Sequence, residues 1–290
     1  MMKKLFCLTT IFSTFLFYSQ QKIKIVDFET KKPISYAKIT FKDKQYYKNS
    51  EENGEITLEN NEEPTEIESF GYENFKVSKT ANIYYLQPKY NNIDAIEITK
   101  PKFEKSFKIG TTKDDKFGFF ASTSSWQIVD LFKNENNAEK LYIKKIKITT
   151  EVNKQIKEAS FNLIIYSNEN GNPSSEKIRS FIVKCKSGSN ITEIDLYKSP
   201  ILFPKEGLYI GIEWIMNNQN KFTYNANVLH ADGSVEKNKN LQGISPKFKG
   251  HKTSESNILF NSNSIWSNNF RNRKSTNSLY SLSIQLELTN

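Results

Sequence analysis

In SLYSLSIQLEL, Ser278 to Leu288, the residues Tyr280, Leu282, Ile284, Leu286 and Leu288 alternate with Ser281, Ser283, Gln285 and Glu287. That period of two is the signature of a half-buried strand, because successive side chains point to opposite faces of a sheet. The same alternation runs through ISYAKITF, where Ser35, Ala37, Ile39 and Phe41 face away from Tyr36, Lys38 and Thr40. Pro33 stands just before it, where a strand can begin without losing a ladder hydrogen bond. Shorter runs of the same kind follow closely: KIKIVDF, KQYYKN, EITL, TEIESF, NFKVS, IYYL and AIEI before residue 100. LYIKKIKIT, ASFNLIIYS, KIRSFIVKC, ITEIDLY and GLYIGIEWI come after it. Close spacing with turn punctuation predicts antiparallel sandwiches. The 21 Phe and 14 Tyr push the same way, since aromatic side chains favour strands. One exception is expected in WQIVDLFKNENNAEKL, where Ile128, Leu131 and Phe132 have the i, i+3, i+4 spacing of a helical turn.

The stretch YKNSEENGEITL gathers Glu51, Glu52 and Glu55 around Gly54. A calcium loop needs ligands at several set positions, as in D-x-[DN]-x-[DN]-G, and these carboxylates do not match. Asn53-Gly54 between two strand-like runs reads instead as a hairpin turn, because Gly54 tolerates positive φ. Asp232-Gly233 reads the same way.

Organisation follows from these runs. Residues 1–20 read as a secretory signal peptide: Lys3 and Lys4 precede the apolar stretch Leu5 to Tyr18, which is too short to span a membrane. No later apolar run reaches spanning length. Residues 21–90 form a first β-sandwich, 91–116 a charged linker with an entry strand, and 117–290 a second sandwich. The expected product is exported: periplasmic, outer-membrane-associated or secreted.

The first segment resembles the carboxypeptidase regulatory-like domain of bacterial cell-envelope proteins. The resemblance rests on VDFETKKPISYAKITF, NSEENGEITL, IESFGYENFKV and NIYYLQPKYNNIDAIEI taken in order. It implies a seven-stranded sandwich of transthyretin-like or immunoglobulin-like type that accompanies other activities and is not itself a catalyst. In its Gly-Tyr-Glu corner, Gly71 permits the bend and Tyr72 caps it. The second segment is similar to jelly-roll sandwiches appended to secreted bacterial proteins, through IYSNENGNP and IDLYKSPILFPKEGLYIGIEW.

Chemistry finds little foothold. His230 and His251 are the two histidines, and neither begins an H-E-x-x-H run, so zinc-peptidase ligation is unsupported. No G-x-S-x-G elbow, phosphate loop or dinucleotide fingerprint occurs. Cys185 shares a strand face with Phe181 and Val183 and reads as a small buried hydrophobe. Asp195 and Glu213, on apolar strands, are the candidates for a glycosidase pair. The net charge of +9 is spread along the chain, unlike the basic stripe of a nucleic-acid binder. No catalytic residue, metal or cofactor is expected.

Binding is the better reading. Gln219 to Thr276 is rich in Asn, Ser and Lys with isolated aromatics, and aromatic rings beside amides can stack on sugars and bond their hydroxyls. Trp266, Tyr224, Asn268 and Phe270 are the candidate ligand-binding residues, while Trp126 and Trp214 read as core. The alternative for Trp266 is a plug at the end of the sandwich. The chain is thus expected to be a non-enzymatic accessory module binding an envelope protein or a glycan. A glycosidase-like hydrolase with its site on the second sandwich, or a structural spacer, are the alternatives.

Overall fold

The computed structural model describes residues 21–43, 46–59, 61–90, 101–122, 126–134, 140–261, 265–268 and 279–290. The expected signal peptide, the AIEI strand and Phe270 lie outside them. Among the described residues the secondary structure is all β. The chain divides into two compact units, Met1–Lys44 with Asn49–Lys89, and Gln45–Lys48 with Tyr90–Asn290.

The first seven strands are β1 (Gln21–Asp27), β2 (Lys38–Phe41), β3 (Tyr47–Asn49), β4 (Glu55–Leu58), β5 (Pro64–Glu68), β6 (Phe75–Lys76) and β7 (Ile83–Leu86). They make a three-stranded sheet, β4-β1-β7, and a four-stranded one, β3-β2-β5-β6. β1–β4, β2–β5 and β5–β6 pair antiparallel, whereas β1 and β7 run parallel. Ile23, Ile25, Ile39, Ile67 and Leu86 are buried. Gly54 has φ of +76°, and a Cβ there would meet the Ile25 carbonyl at 2.7 Å, so the hairpin requires glycine. The ISYAKITF strand is shorter than its alternation predicts. Over Ile34–Ala37 the chain turns, with Tyr36 at φ +58°. Two buried polar side chains take over the backbone there. The Asn49 amide donates to the Tyr36 carbonyl at 2.9 Å, and the Ser50 hydroxyl accepts from Ala37 N–H at 2.9 Å while donating to the Ile34 carbonyl. Side-chain bonds of this kind compete directly with a ladder.

The remaining strands are β8 (Ser106–Gly110), β9 (Phe117–Ala121), β10 (Gln127–Phe132), β11 (Leu141–Val152), β12 (Glu158–Glu169), β13 (Asn172–Lys186), β14 (Gly188–Asp195) and β15 (Ile201–Phe203). They continue with β16 (Leu208–Trp214), β17 (Lys221–Leu229), β18 (Val235–Thr253), β19 (Leu259–Asn261), β20 (Trp266–Ser267), β21 (Leu279–Leu282) and β22 (Ile284–Thr289). A six-stranded sheet, β13-β12-β16-β10-β19-β20, packs on a nine-stranded one built on β17-β18-β11-β22-β8. One core joins them: Ile128, Phe161, Leu163, Ile212 and Trp214 from the first sheet, Ile146, Ile148, Phe248, Ile284 and Leu286 from the second. The Trp214 indole donates to the Pro246 carbonyl at 2.7 Å and stacks on Trp126, so its one polar atom is satisfied inside the core. The expected entry strand is β8, which pairs with β22 from Ser106↔Thr289 to Gly110↔Gln285.

Two expectations need correction. Gln127–Phe132 is a strand, not a helical turn. Its apolar residues serve both faces: Ile128 and Phe132 enter the sandwich core, whereas Val129 and Leu131 join a separate cluster on the outer face. The SLYSLSIQLEL strand is split at Ser283, whose hydroxyl donates to the Lys113 carbonyl.

Candidate functional site

The outer face of the six-stranded sheet carries an organised set of polar side chains. Strand register aligns one residue from each strand into a row. Ile182 on β13 pairs with Asn162 on β12, and Asn162 with Glu213 on β16. Glu213 then pairs with Gln127 on β10, Gln127 with Asn261 on β19, and Asn261 with Trp266 on β20. Direct cross-strand partners share a face and touch.

Glu213 is the centre of this row and is 3% exposed. Its Oε2 receives the Lys177 ammonium at 2.8 Å and the Asn162 amide at 3.5 Å; its Oε1 receives the Gln127 amide at 2.9 Å. The Gln127 side-chain carbonyl in turn accepts the Tyr166 hydroxyl at 3.1 Å. A buried carboxylate with a cation and two amide donors is a fixed acceptor that anchors its neighbours. Beside the row lies a small apolar cluster of Val129, Ile164, Tyr166 and Tyr209, against which Leu131, Leu259 and Trp266 pack. Gly211 sits in its middle, where a Cβ would collide with the backbone of Ile128 on β10. Tyr209 is pinned by donating to the Gly171 carbonyl at 2.5 Å, which ties the β12–β13 turn to the face.

Trp266 is half-buried here, edge-on to Tyr166 with ring centroids 5.5 Å apart. It therefore packs on the outer cluster, not at the end of the sandwich. Asn268, exposed, follows it by two residues. Tyr224 is elsewhere: it lies on β17 in the nine-stranded sheet, 36% exposed and opposite Leu241. Among the described candidates, Tyr224 thus lies on a different sheet from Trp266 and Asn268. Gln127, Asn162 and Lys177, which converge on Glu213, and Tyr166, against which Trp266 packs, escaped the sequence reading. The one legible signal was Glu213 itself, an acid inside the otherwise apolar GLYIGIEWI.

The glycosidase pair is separated. Asp195 is exposed on β14, opposite Lys145 in the nine-stranded sheet, and caps the Tyr197 N–H at 2.8 Å. Glu213 belongs to the other sheet. Cys185 is 2% exposed, and burial pushes its thiol up to about 12, so it stays protonated at neutral pH. His230 is exposed at the tip of the β17–β18 hairpin, 3.2 Å from Glu236. His251 lies within β18, and burial lowers its pKa. Among the described residues, no group of three His, Cys, Asp or Glu side chains is placed to hold a metal ion. No helix among them is long and apolar enough to cross a membrane.

In the first unit the two ends of the quoted motifs meet. The Tyr72 hydroxyl of the Gly-Tyr-Glu corner donates to Asp27 Oδ2 at 2.9 Å, and Asp27 Oδ1 accepts the Thr30 and Glu29 N–H groups of its own turn.

Fold and face together define an all-β chain of two units with an aromatic and amide surface on its larger sandwich. No protein-family model matches the chain, and no curated protein does. Two solved structures are similar to it at a TM-score of 0.40 and 7% identity over 84% of this chain. One holds the cysteine protease and lectin-like domains of Cwp84, a surface-layer-associated protein of Clostridium difficile; the other is the clostridial protease after propeptide cleavage. This chain covers 45% and 51% of them, about half their length.

Proposed function

We propose that this is an exported, envelope-associated accessory module without catalytic activity, whose larger unit binds a glycan through the outer face of its six-stranded sheet. The observation that carries this reading is the row Asn162–Glu213–Gln127–Asn261–Trp266. An aromatic ring, three primary amides and a buried carboxylate lie side by side on one face of a rigid sheet. Among the described residues, the Asn162 carbonyl and the second N–H of the Gln127 amide are left unspent by the internal network. Paired donors and acceptors beside a ring match the hydroxyls and apolar face of a pyranose. The smaller unit is read as a carboxypeptidase regulatory-like module. The hydrogen bond between Asp27 and Tyr72 supports this, because it joins two residues of the pattern on which the resemblance rests.

Retention of the purified chain on immobilised envelope polysaccharide tests the reading. Gln127→Ala should lower retention at least about tenfold, the size expected when a positioned polar group is lost from a binding face. Trp266→Phe keeps packing against Tyr166 and should weaken binding less than Trp266→Ala does. Equal retention by all three variants and the unaltered chain would remove this face from the proposal.

A further inference from the structure

The row on the outer face crosses the whole six-stranded sheet, and both of its ends are apolar. Ile182 on β13, 45% exposed, pairs with Asn162 at one end. Trp266 on β20 pairs with Asn261 at the other. Between them stand Asn162, Glu213, Gln127 and Asn261, one from each inner strand. The three amides keep part of their surface in solvent, whereas Glu213 is buried.

Three properties of the row select among glycans. The first is length. Direct cross-strand partners step across a sheet by about 4.8 Å, so five steps make the row ~24 Å long. A pyranose chain linked through equatorial positions advances by nearly the same step. One terminal sugar would leave most of the row empty, and a chain would fill it. The second property is twist: neighbouring strands rotate by about 20° each, so the row turns steadily along its length. A soluble chain can follow that turn, and the flat face of a crystalline polysaccharide cannot. The third is charge. Lys177 is spent on Glu213 at 2.8 Å, and Lys184, two residues beyond Ile182, on Glu158 at 3.6 Å. A face whose cations are already paired suits an uncharged sugar better than a uronate.

Given the glycan-binding reading above, on which this rests, we infer that the outer face takes a neutral, extended polysaccharide chain lying across the strands. Each strand contributes one contact to the chain. Ile182 supports the apolar face of the sugar farthest from Trp266, which makes it a binding residue on β13.

The test uses the full chain and the envelope polysaccharide on which it is retained, cut by mild acid into sized oligomers that compete for that retention. Potency per molecule should rise at least about tenfold from the disaccharide to the pentasaccharide, as each added sugar brings further contacts, and then level off. Ile182→Ala truncates an exposed side chain and should weaken the pentasaccharide about fivefold. It should leave the disaccharide, seated on Trp266, unchanged. Added sodium chloride should move none of these values, because salt screens charges and a neutral chain has none. A disaccharide as potent as the hexasaccharide would overturn the inference and leave glycan binding itself intact. So would an Ile182→Ala chain that binds the pentasaccharide normally, or retention that falls steeply with salt. Failure of the unaltered chain to be retained at all would instead remove glycan binding, and this inference with it.

Discussion

Asp130 and Glu213 lie on adjacent strands of one sheet, 9% and 3% exposed, and face opposite ways. Glu213 points to the outer face, where Lys177, Gln127 and Asn162 converge on it. Asp130 shares its face with Ile128 and Phe132 of the sandwich core. Burial pushes its pKa up to about 6, against which hydrogen bonds from the Ser281 hydroxyl and the Leu131 N–H work. Two carboxylates of similar burial thus have different surroundings: one has a cation, the other only neutral donors.

The strongest way to break this contrast is to remove the cation from the outer face. Lys177→Met keeps an unbranched side chain of similar length and leaves Glu213 without its ammonium partner. Breaking a buried pair from one side costs about 3–4 kcal/mol, toward the low end of what such losses reach, because Lys177 is partly solvated. Urea unfolding should show this loss. Adding Glu213→Gln to the same chain should recover most of it, since no buried charge then remains. A single variant as stable as the unaltered chain would mean that water already reaches Glu213.

The inner face gives the next largest effect, and it depends on pH. Folding raises the Asp130 pKa, so between about pH 4 and 6 the folded state holds a proton that the unfolded chain has released. Stability therefore falls as pH rises through that window and is level above it. A rise from the ordinary carboxyl value of 3.8 to about 6 corresponds to roughly 2–3 kcal/mol. Asp130→Asn keeps a polar group for Ser281 and cannot ionise. Its melting temperature should lack that descending limb and exceed the unaltered protein's at pH 7.5. An identical pH profile for the two proteins would show that Asp130 is ionised and solvated in the fold.

The strands were largely legible, and the reason is local: the alternation from Tyr280 to Leu288 needs no knowledge of partners. The same rule failed at Gln127–Phe132 because both faces of that strand are covered, and a strand apolar on both sides loses its period. It overran at Ile34–Ala37, where Asn49 and Ser50 from elsewhere in the chain redirect the backbone. The site was less legible than the fold. Asn162, Lys177, Glu213 and Gln127 come from separate strands, and only register, fixed by long-range pairing, aligns them. Tyr224 and Trp266 seemed neighbours in one polar segment, yet that segment is divided between two sheets.

The smallest effect concerns a third carboxylate, Asp27, which has donors but no cation among its hydrogen-bond partners. Its pKa is lowered first by the Thr30 backbone N–H, then by the hydroxyls of Tyr72 and Thr30 and the Glu29 N–H, with burial opposing them. Burial first, and then the hydrogen bond to Asp27, push the Tyr72 phenol up to about 12. A depressed carboxyl pKa contributes stability above the unfolded value, and that contribution is lost as pH falls through the folded one. Tyr72→Phe removes one donor and leaves the turn's backbone donors in place. The Asp27 carboxyl, followed by its carbon resonance in an NMR titration, should then titrate at a higher pH but still below an ordinary aspartate. The Thr30 and Glu29 backbone donors remain on the carboxylate, so a partial shift is the expected result. An unchanged Asp27 titration would assign the depression wholly to the turn and reduce Tyr72 to a packing residue.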